Sequence, residues 1–121
     1  SNPTAAKLVL RAFSQVPTAG KRVVVLGDML ELGSASPQLH ASLAQAIDPQ
    51  KIAEVFLCGT QVKALAAKLV NKFSNDQLHL YDLNHQAQLI VDLKDSLKAQ
   101  DLVMLKGSHG IHLENVLAAL R

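Results

Sequence analysis

Tryptophan is absent from the 121-residue chain, which has only three Phe and one Tyr. Hydrophobic residues still make up 49% of the sequence, so any core must be built mainly from aliphatic side chains. So few aromatic rings cannot form the stacking platforms that bind single-stranded nucleic acids. The basic residues are scattered and the formal net charge is only +2, so nucleic acid is not an expected partner.

Cysteine and long apolar runs are also scarce. The single cysteine, Cys58, excludes an internal disulfide and is typical of a reducing compartment. No apolar run approaches the roughly 20 residues that a membrane-spanning helix needs, and no secretory signal is recognisable. These features predict a cytoplasmic protein without membrane insertion. The length suits one domain, and no linker interrupts the chain, so residues 1–121 are expected to form a single domain.

Several common catalytic motifs are missing. The phosphate-binding pattern G-x-x-x-x-G-K-[ST], the dinucleotide pattern G-x-G-x-x-G and the hydrolase pattern G-x-S-x-G do not occur. His109 and His112 are three residues apart, but no Cys or third His has a supporting spacing, so no metal site is predicted. The other three histidines are expected at the surface or partly packed, and Cys58 is expected to be a small apolar strand residue.

What the chain does contain is a repeated strand ending. Three short apolar runs each end in Gly followed by a residue with a side-chain oxygen. The runs are Val23–Asp28, Val55–Thr60 and Val103–Ser108. Continuous apolar runs are typical of strands buried on both faces of a parallel sheet. A weaker, alternating run over residues 78–82 predicts a strand nearer an edge.

Helical patterns separate these strands. Leu8, Val9, Ala12, Phe13 and Val16 are predicted to share the buried face of the first helix. Ser36-Pro37, Thr60 and Asn84 are predicted to begin later helices, and a last helix would carry apolar residues between 113 and 120. The alternation predicts an α/β fold: a three-layer Rossmann-like sandwich with a mostly parallel sheet and helices on both faces.

The candidate site follows from this topology, because open α/β sheets bind ligands beyond the carboxyl ends of their strands. Lys106 ends an apolar strand, which costs free energy unless its ammonium reaches water or an anion. Ser108 and the next helix start would complete an anion site. Asp28 and Glu31 would favour a cation or act as an acid–base pair. The competing interpretation is that these strand endings contain ordinary turn and capping residues without a binding role.

With these motifs, the whole chain resembles the C-terminal domain of the Mur ligases. Three stretches carry the resemblance: VLGDMLELG at residues 25–33 with the later His40, VMLKGSHG at residues 103–110 with Leu113-Glu114, and Asn2-Pro3-Thr4. The last of these is similar to the end of the family's Asn-Ala-Asn-Pro segment. The LGDMLELG string is the most specific of the three.

The resemblance implies the third of three domains of an ATP-dependent amide-forming ligase of peptidoglycan synthesis. Such enzymes have an N-terminal domain for the UDP-sugar and a central ATPase domain, which would hold most of the ATP and Mg²⁺. The C-terminal domain receives the incoming amino substrate and closes on ATP. LGDMLELG favours the members that join D-Ala-D-Ala to UDP-MurNAc-tripeptide. Without its central and N-terminal domains, this chain is expected to be inactive.

The resemblance also implies roles for individual residues. Asp28 and Glu31 fall in the loop that faces the amino substrate. Lys106, Ser108 and His109 match a Lys-Gly-Ser-Arg corner for the dipeptide carboxylate, with His in place of Arg. Asn2 would contact the nucleotide. Two alternatives stay open: a stand-alone Rossmann-like binding module without catalysis, and the same domain of another Mur or folylpolyglutamate-type ligase.

Overall fold

A computed structural model of the chain describes residues 2–107, so Ser108, His109 and the predicted last helix lie outside the described residues. Strands and helices alternate within this range. The helices are α1 (Pro3–Phe13), α2 (Ser36–Ser42), α3 (Lys63–Leu69) and α4 (Gln86–Ser96). The strands are β1 (Arg22–Gly27), β2 (Glu54–Cys58), β3 (Leu78–Tyr81) and β4 (Leu102–Lys106). None of the helices among these residues is long and apolar enough to cross a membrane.

The four strands form one sheet in the order β3-β2-β1-β4, and every neighbouring pair is parallel. The central strand β1 places Leu26 level with Leu57 of β2 and with Lys106 of β4. β3 lies at one edge of the described sheet, as its alternating pattern predicted. The parallel sheet confirms the predicted fold class.

Helices cover both faces of the sheet, and each face has its own core cluster. On one face, α1, α3 and the 3₁₀ turn Leu43–Ala46 pack over alternate residues of the central strands, including Val24, Leu26, Val55 and Leu57. On the other face, Leu89 and Leu93 of α4 pack over Val23, Val25, Phe56 and Cys58. Because successive strand residues point to opposite faces, the continuous apolar runs supply both clusters. The predicted third layer is therefore present.

The predicted face of α1 was wrong. The helix buries Ala6 and Leu10, whereas Leu8 and Val9 are 63% and 43% exposed. Leu8, Val9 and Phe13 fit a helical period, but so do Ala6, Leu10 and Phe13, and Phe13 packs at the edge of the core.

None of the three predicted helix caps, Ser36, Thr60 and Asn84, acts as a cap. Thr60 lies in a turn before α3, whose cap is Val62 without a side-chain hydrogen bond. Asn84 lies in a 3₁₀ turn, Leu83–His85, that leads into α4. Ser36 is the first residue of α2 rather than its cap. The second helical pattern divides into α2 and a 3₁₀ turn, Leu43–Ala46.

Candidate functional site

The order in which strands are added to the sheet reverses between β1 and β4, although the two strands are parallel. From β1 the chain proceeds outward to β2 and β3, and then α4 brings it back across the opposite face to β4. In open α/β sheets such a switch point leaves a crevice at the carboxyl edge, where ligands bind. The corner after β1 carries Asp28 and the end of β4 carries Lys106. The topology therefore brings these two predicted site residues to adjacent strand ends.

Asp28 is almost completely buried, at 4% exposure, although it follows the end of its strand. Its carboxylate accepts backbone N–H groups from Thr60 at 3.0 Å and from Val62 at 2.9 Å. It therefore supplies hydrogen-bond partners to the turn after β2, where Thr60 was expected to cap a helix with its own side chain. Asp28 thus joins the first two strand endings into one structure.

Residues 28–33, the loop after β1, are held at Met29 by a second buried polar group. The backbone N–H of Met29 donates to Nε2 of His40 at 2.9 Å. The Nδ1 atom of His40 lies 2.8 Å from the carbonyl oxygen of Ser36 and must donate to it. His40 is 0% exposed, so the prediction of a surface or partly packed histidine was wrong here. The family resemblance grouped His40 with residues 25–33, but residue type and spacing did not show that its ring accepts the Met29 N–H group.

The outer part of the loop at residues 28–33 has an unusual backbone. Glu31 has φ 65° and Gly33 has φ 68°. A non-glycine residue in this left-handed region costs roughly 1 kcal/mol or more, and such residues are frequent at functional sites. Glu31 is exposed, and Leu30 beside it is 47% exposed. An acidic and an apolar side chain are therefore presented together at the carboxyl edge.

Lys106 is the last residue of β4 and is half-buried. It pairs in register with Leu26, two residues before Asp28. By strand alternation it lies on the same face as Met104, the face that α1, α3 and the 3₁₀ turn Leu43–Ala46 cover. An ammonium at a strand end can reach solvent or an anion from this position.

Asn2, the residue predicted to contact the nucleotide, caps α1. Its Oδ1 accepts the backbone N–H of Ala5 at 2.8 Å, and Pro3 follows as the first helical residue. This is a usual arrangement for a helix start. Asn2 is exposed, and its contact with a nucleotide stays a prediction.

Among residues 2–107, no group of three His, Cys, Asp or Glu side chains is arranged to hold a metal ion. Cys58 is fully buried in the α4-side core, and its Sγ donates to the Asp82 carbonyl at 3.7 Å. Burial, with a smaller contribution from the Asp28 charge, raises the pKa of the Cys58 thiol. Its predicted role as a small apolar residue is confirmed.

A buried polar cluster at the start of β2 had no sequence signal. Glu54 is 9% exposed and contacts Nε2 of His79 at 2.6 Å and the hydroxyl of Ser96. The His79 ring also stacks on Phe56, with ring centroids 4.3 Å apart. Ser96 ends α4, so the cluster ties this helix to β2 and β3. It lies at the opposite edge of the sheet from residues 28–33, which indicates a structural role.

A second polar contact fastens α4 near its middle. The hydroxyl of Tyr81 donates to Asp92 at 2.7 Å. Burial and this hydrogen bond raise the pKa of Tyr81, and the same bond lowers the pKa of Asp92. Both groups therefore keep the protonation states that the contact requires at neutral pH.

Among residues 2–107, a four-stranded parallel sheet with a topological switch point between β1 and β4 defines a Rossmann-like α/β domain with its candidate site at the carboxyl edge. The family described as "Mur ligase, glutamate ligase domain" matches residues 1–109. The chain belongs to the Mur ligase family.

Curated relatives of the chain include two ligases with the same name. The chain is 30% identical over 120 residues to UDP-N-acetylmuramoyl-tripeptide–D-alanyl-D-alanine ligase of Bacillus subtilis, covering 99% of this chain and 26% of that protein. The ligase of the same name from Escherichia coli is 32% identical over 114 residues, with 93% and 23% covered. The chain thus spans about a quarter of the length of these relatives.

Solved structures share the fold. The MurF ligase from Thermotoga maritima, in complex with ADP, superposes with a TM-score of 0.76 at 23% identity, covering 98% of this chain and 25% of that one. MurF from Acinetobacter baumannii gives a TM-score of 0.76 at 24% identity, with 99% and 26% covered. At these identities the similarity supports the architecture alone.

Proposed function

We propose that the chain is the C-terminal domain of a ligase that joins D-Ala-D-Ala to UDP-MurNAc-tripeptide in peptidoglycan synthesis. The observation that carries the proposal is the placement of the Asp28 corner and Lys106 at adjacent strand ends of the switch point. Curated relatives that carry this ligase name match nearly the whole chain. This domain would receive the dipeptide and close on ATP.

The charges at the crevice suit a dipeptide zwitterion. Lys106, together with Ser108 and His109 beyond the described residues, would bind the dipeptide carboxylate. Asp28 and Glu31 would face its amino group. The two Asp28 oxygens each accept a backbone N–H group, so the exposed Glu31 is the better placed to approach the amine. Binding in this orientation would present the amine nitrogen to the activated tripeptide carboxyl.

The chemistry that this binding serves is amide formation. The amine nitrogen would attack the acyl carbon of the tripeptide's acyl phosphate. The amide bond forms, phosphate leaves, and the nitrogen releases a proton that a nearby carboxylate such as Glu31 could accept. The residues of this chain would thus bind and orient the nucleophile.

ATP and Mg²⁺ would be held mainly outside this chain, by a central ATPase domain. The sequence has no phosphate-binding G-x-x-x-x-G-K-[ST] loop, and Asn2 is the one residue that we place against the nucleotide. The domain's partners would therefore be its own central and N-terminal domains, in the cytoplasm. We expect residues 1–121 to fold as one domain but to be inactive in isolation, and a phosphate-release assay with all substrates tests this.

The experiment for the site compares two lysine substitutions in the full-length gene product. Lys106→Met should raise KM for D-Ala-D-Ala about tenfold or more, because a carboxylate loses its charged partner. Lys94→Met removes an exposed lysine of α4 and is the matched control. Equal KM values for the two variants would contradict the placement of the carboxylate.

The substrate class is tested in the same assay. UDP-MurNAc-tripeptide with D-Ala-D-Ala should be ligated, whereas single amino acids such as D-glutamate or L-glutamate should not. Preference for a single amino acid would favour another Mur or folylpolyglutamate-type ligase. The coding region upstream of residue 1 should contain G-x-x-G-K-[ST], and a start codon near Ser1 would favour a stand-alone binding module.

A further inference from the structure

His40 is the most deeply buried titratable side chain near the candidate site, at 0% exposure, and the proposed reaction gives it no role. We propose that His40 is a positioning residue that holds the substrate loop, residues 28–33, in the shape that receives the dipeptide. The inference rests on the proposed function above. His40 would act through the backbone of Met29 and would not touch the substrate.

The hydrogen bonds determine which tautomer His40 has. A carbonyl oxygen can only accept, so the Nδ1 atom facing Ser36 O at 2.8 Å carries the proton. A backbone N–H can only donate, so Nε2 is the acceptor for Met29 at 2.9 Å. The Ser36 hydroxyl, 3.2 Å from Nδ1, adds a further contact. Both ring nitrogens are thus committed, one to α2 and one to the loop.

The loop needs such an anchor because its outer part is unfavourable by itself. Asp28 is held by the turn after β2, and Met29 is 3% exposed and bonded to His40. Immediately beyond them, Glu31 has φ 65°. A left-handed non-glycine residue persists only where the surrounding structure enforces it. His40 supplies that constraint two residues away, at the start of the strained segment.

Loss of the His40 anchor should weaken binding of the dipeptide more than binding of the other two substrates. The loop presents Leu30 and Glu31 at the carboxyl edge, where we place the dipeptide. A loop that samples other conformations would bind the dipeptide less often in a reactive orientation. Binding of UDP-MurNAc-tripeptide and of ATP depends mainly on the other domains, so their KM values should change little.

Two amide substitutions separate the two hydrogen bonds of His40. In His40→Gln the Oε1 atom can occupy the place of Nε2 and accept from Met29. In His40→Asn the amide occupies the place of Nδ1, so it can bond Ser36 but cannot reach Met29. Both variants replace the ring by a polar amide, which makes each the control for the other.

The experiment uses the full-length gene product. We expect His40→Asn to raise KM for D-Ala-D-Ala about tenfold, with KM for ATP and for UDP-MurNAc-tripeptide within about twofold of the original. His40→Gln should restore most of the dipeptide KM. Hydrogen exchange should rise in the peptide covering residues 28–33 in His40→Asn and much less in His40→Gln.

A stability control excludes a general effect of core damage. Ile52→Val removes one methyl group from the core cluster that also contains Met29. Ile52 lies just before the start of β2. It should lower the melting temperature without raising KM for the dipeptide. If Ile52→Val raises that KM as His40→Asn does, or if both His40 variants behave alike, the positioning role is wrong.

Failure of the inference and failure of the proposed function are distinguishable. If the unsubstituted protein does not ligate D-Ala-D-Ala, the proposed function is wrong and the inference falls with it. If it does, and His40→Asn leaves both the dipeptide KM and the loop exchange unchanged, only the role of His40 is overturned.

Discussion

The carboxylate of Asp28 occupies the space that a side chain on Gly59 would need. A Cβ atom at Gly59 would lie closer to all three atoms of this carboxylate group than real Cβ contacts allow. Gly59 also has φ 134°, a conformation that side chains rarely adopt. Glycine in the second strand ending therefore permits the aspartate of the first ending to reach the turn amides.

Gly59→Ala should accordingly destabilise the chain by about 3 kcal/mol, combining backbone strain with a collision against the carboxylate. Gly33→Ala is the matched control, because Gly33 has φ 68° but no atom within 4 Å of an added Cβ. It should cost about 1 kcal/mol. Urea unfolding of both variants measures the difference, and equal losses would argue against the collision.

Leucine substitutions two residues apart test the observed face of α1. Leu10 is 0% exposed and Leu8 is 63% exposed. Leu10→Ala should lower the free energy of unfolding by about 3 kcal/mol through the cavity it leaves. Leu8→Ala should change it by less than about 0.5 kcal/mol. The reverse order in chemical denaturation would restore the face predicted from the sequence.

The thiol of Cys58 should resist modification while the chain is folded. Burial raises its pKa, and only the thiolate reacts with reagents such as a disulfide dye. At about pH 8 the folded protein should react slower than the unfolded protein by about two orders of magnitude. Because Cys58 is the one cysteine of the chain, the colour change of the dye measures modification of this thiol directly. Fast labelling of the folded chain would show that the core under α4 opens readily.

Asp101 should account for a measurable part of the free energy of unfolding that is lost at acid pH. A side-chain hydrogen bond from Lys21, whose Nζ lies 2.5 Å away, is the main cause that lowers the pKa of Asp101 to about 2. The unfolded value is about 3.9, so the unfolded chain binds this proton more tightly. The contribution is therefore complete above about pH 4 and is lost as the pH falls towards 2.

Asp101→Asn should remove that part of the pH dependence, so its unfolding free energy should fall less between about pH 5 and 2. Asp76→Asn is the control, since Asp76 is exposed and lies outside this contact. It should keep the original slope. Parallel pH profiles for all three proteins would show that Lys21 and Asp101 do not interact strongly in solution.

The strand endings were predictable because their cause is local. A continuous apolar run followed by Gly and a polar residue indicates a buried parallel strand and its turn, and β1, β2 and β4 all occur where such runs stand. The edge position of β3 also followed from its alternating pattern. From the alternation of elements alone, Asp28 and Lys106 could be assigned to the carboxyl edge.

The roles of individual polar side chains were not predictable in the same way. Thr and Asn are residue types that often cap helices. However, the backbone amide of Thr60 donates to Asp28, and Asn84 lies in a 3₁₀ turn. The resemblance grouped His40 with the loop but did not show their contact, because its partner, Met29, is a backbone group eleven residues away. Such bonds depend on where two elements meet in space, which residue type does not encode.

The sequence by itself determined the fold class, the strand positions and the edge at which the candidate site lies, since hydrophobic periodicity and turn chemistry act within a few residues. Only the tertiary structure decided the order β3-β2-β1-β4, which makes the Asp28 corner and Lys106 neighbours. It also decided which face of α1 is buried and that His40 accepts a hydrogen bond from the backbone of Met29. These outcomes depend on packing between distant segments, where shape and hydrogen-bond satisfaction choose among alternatives that are locally equivalent.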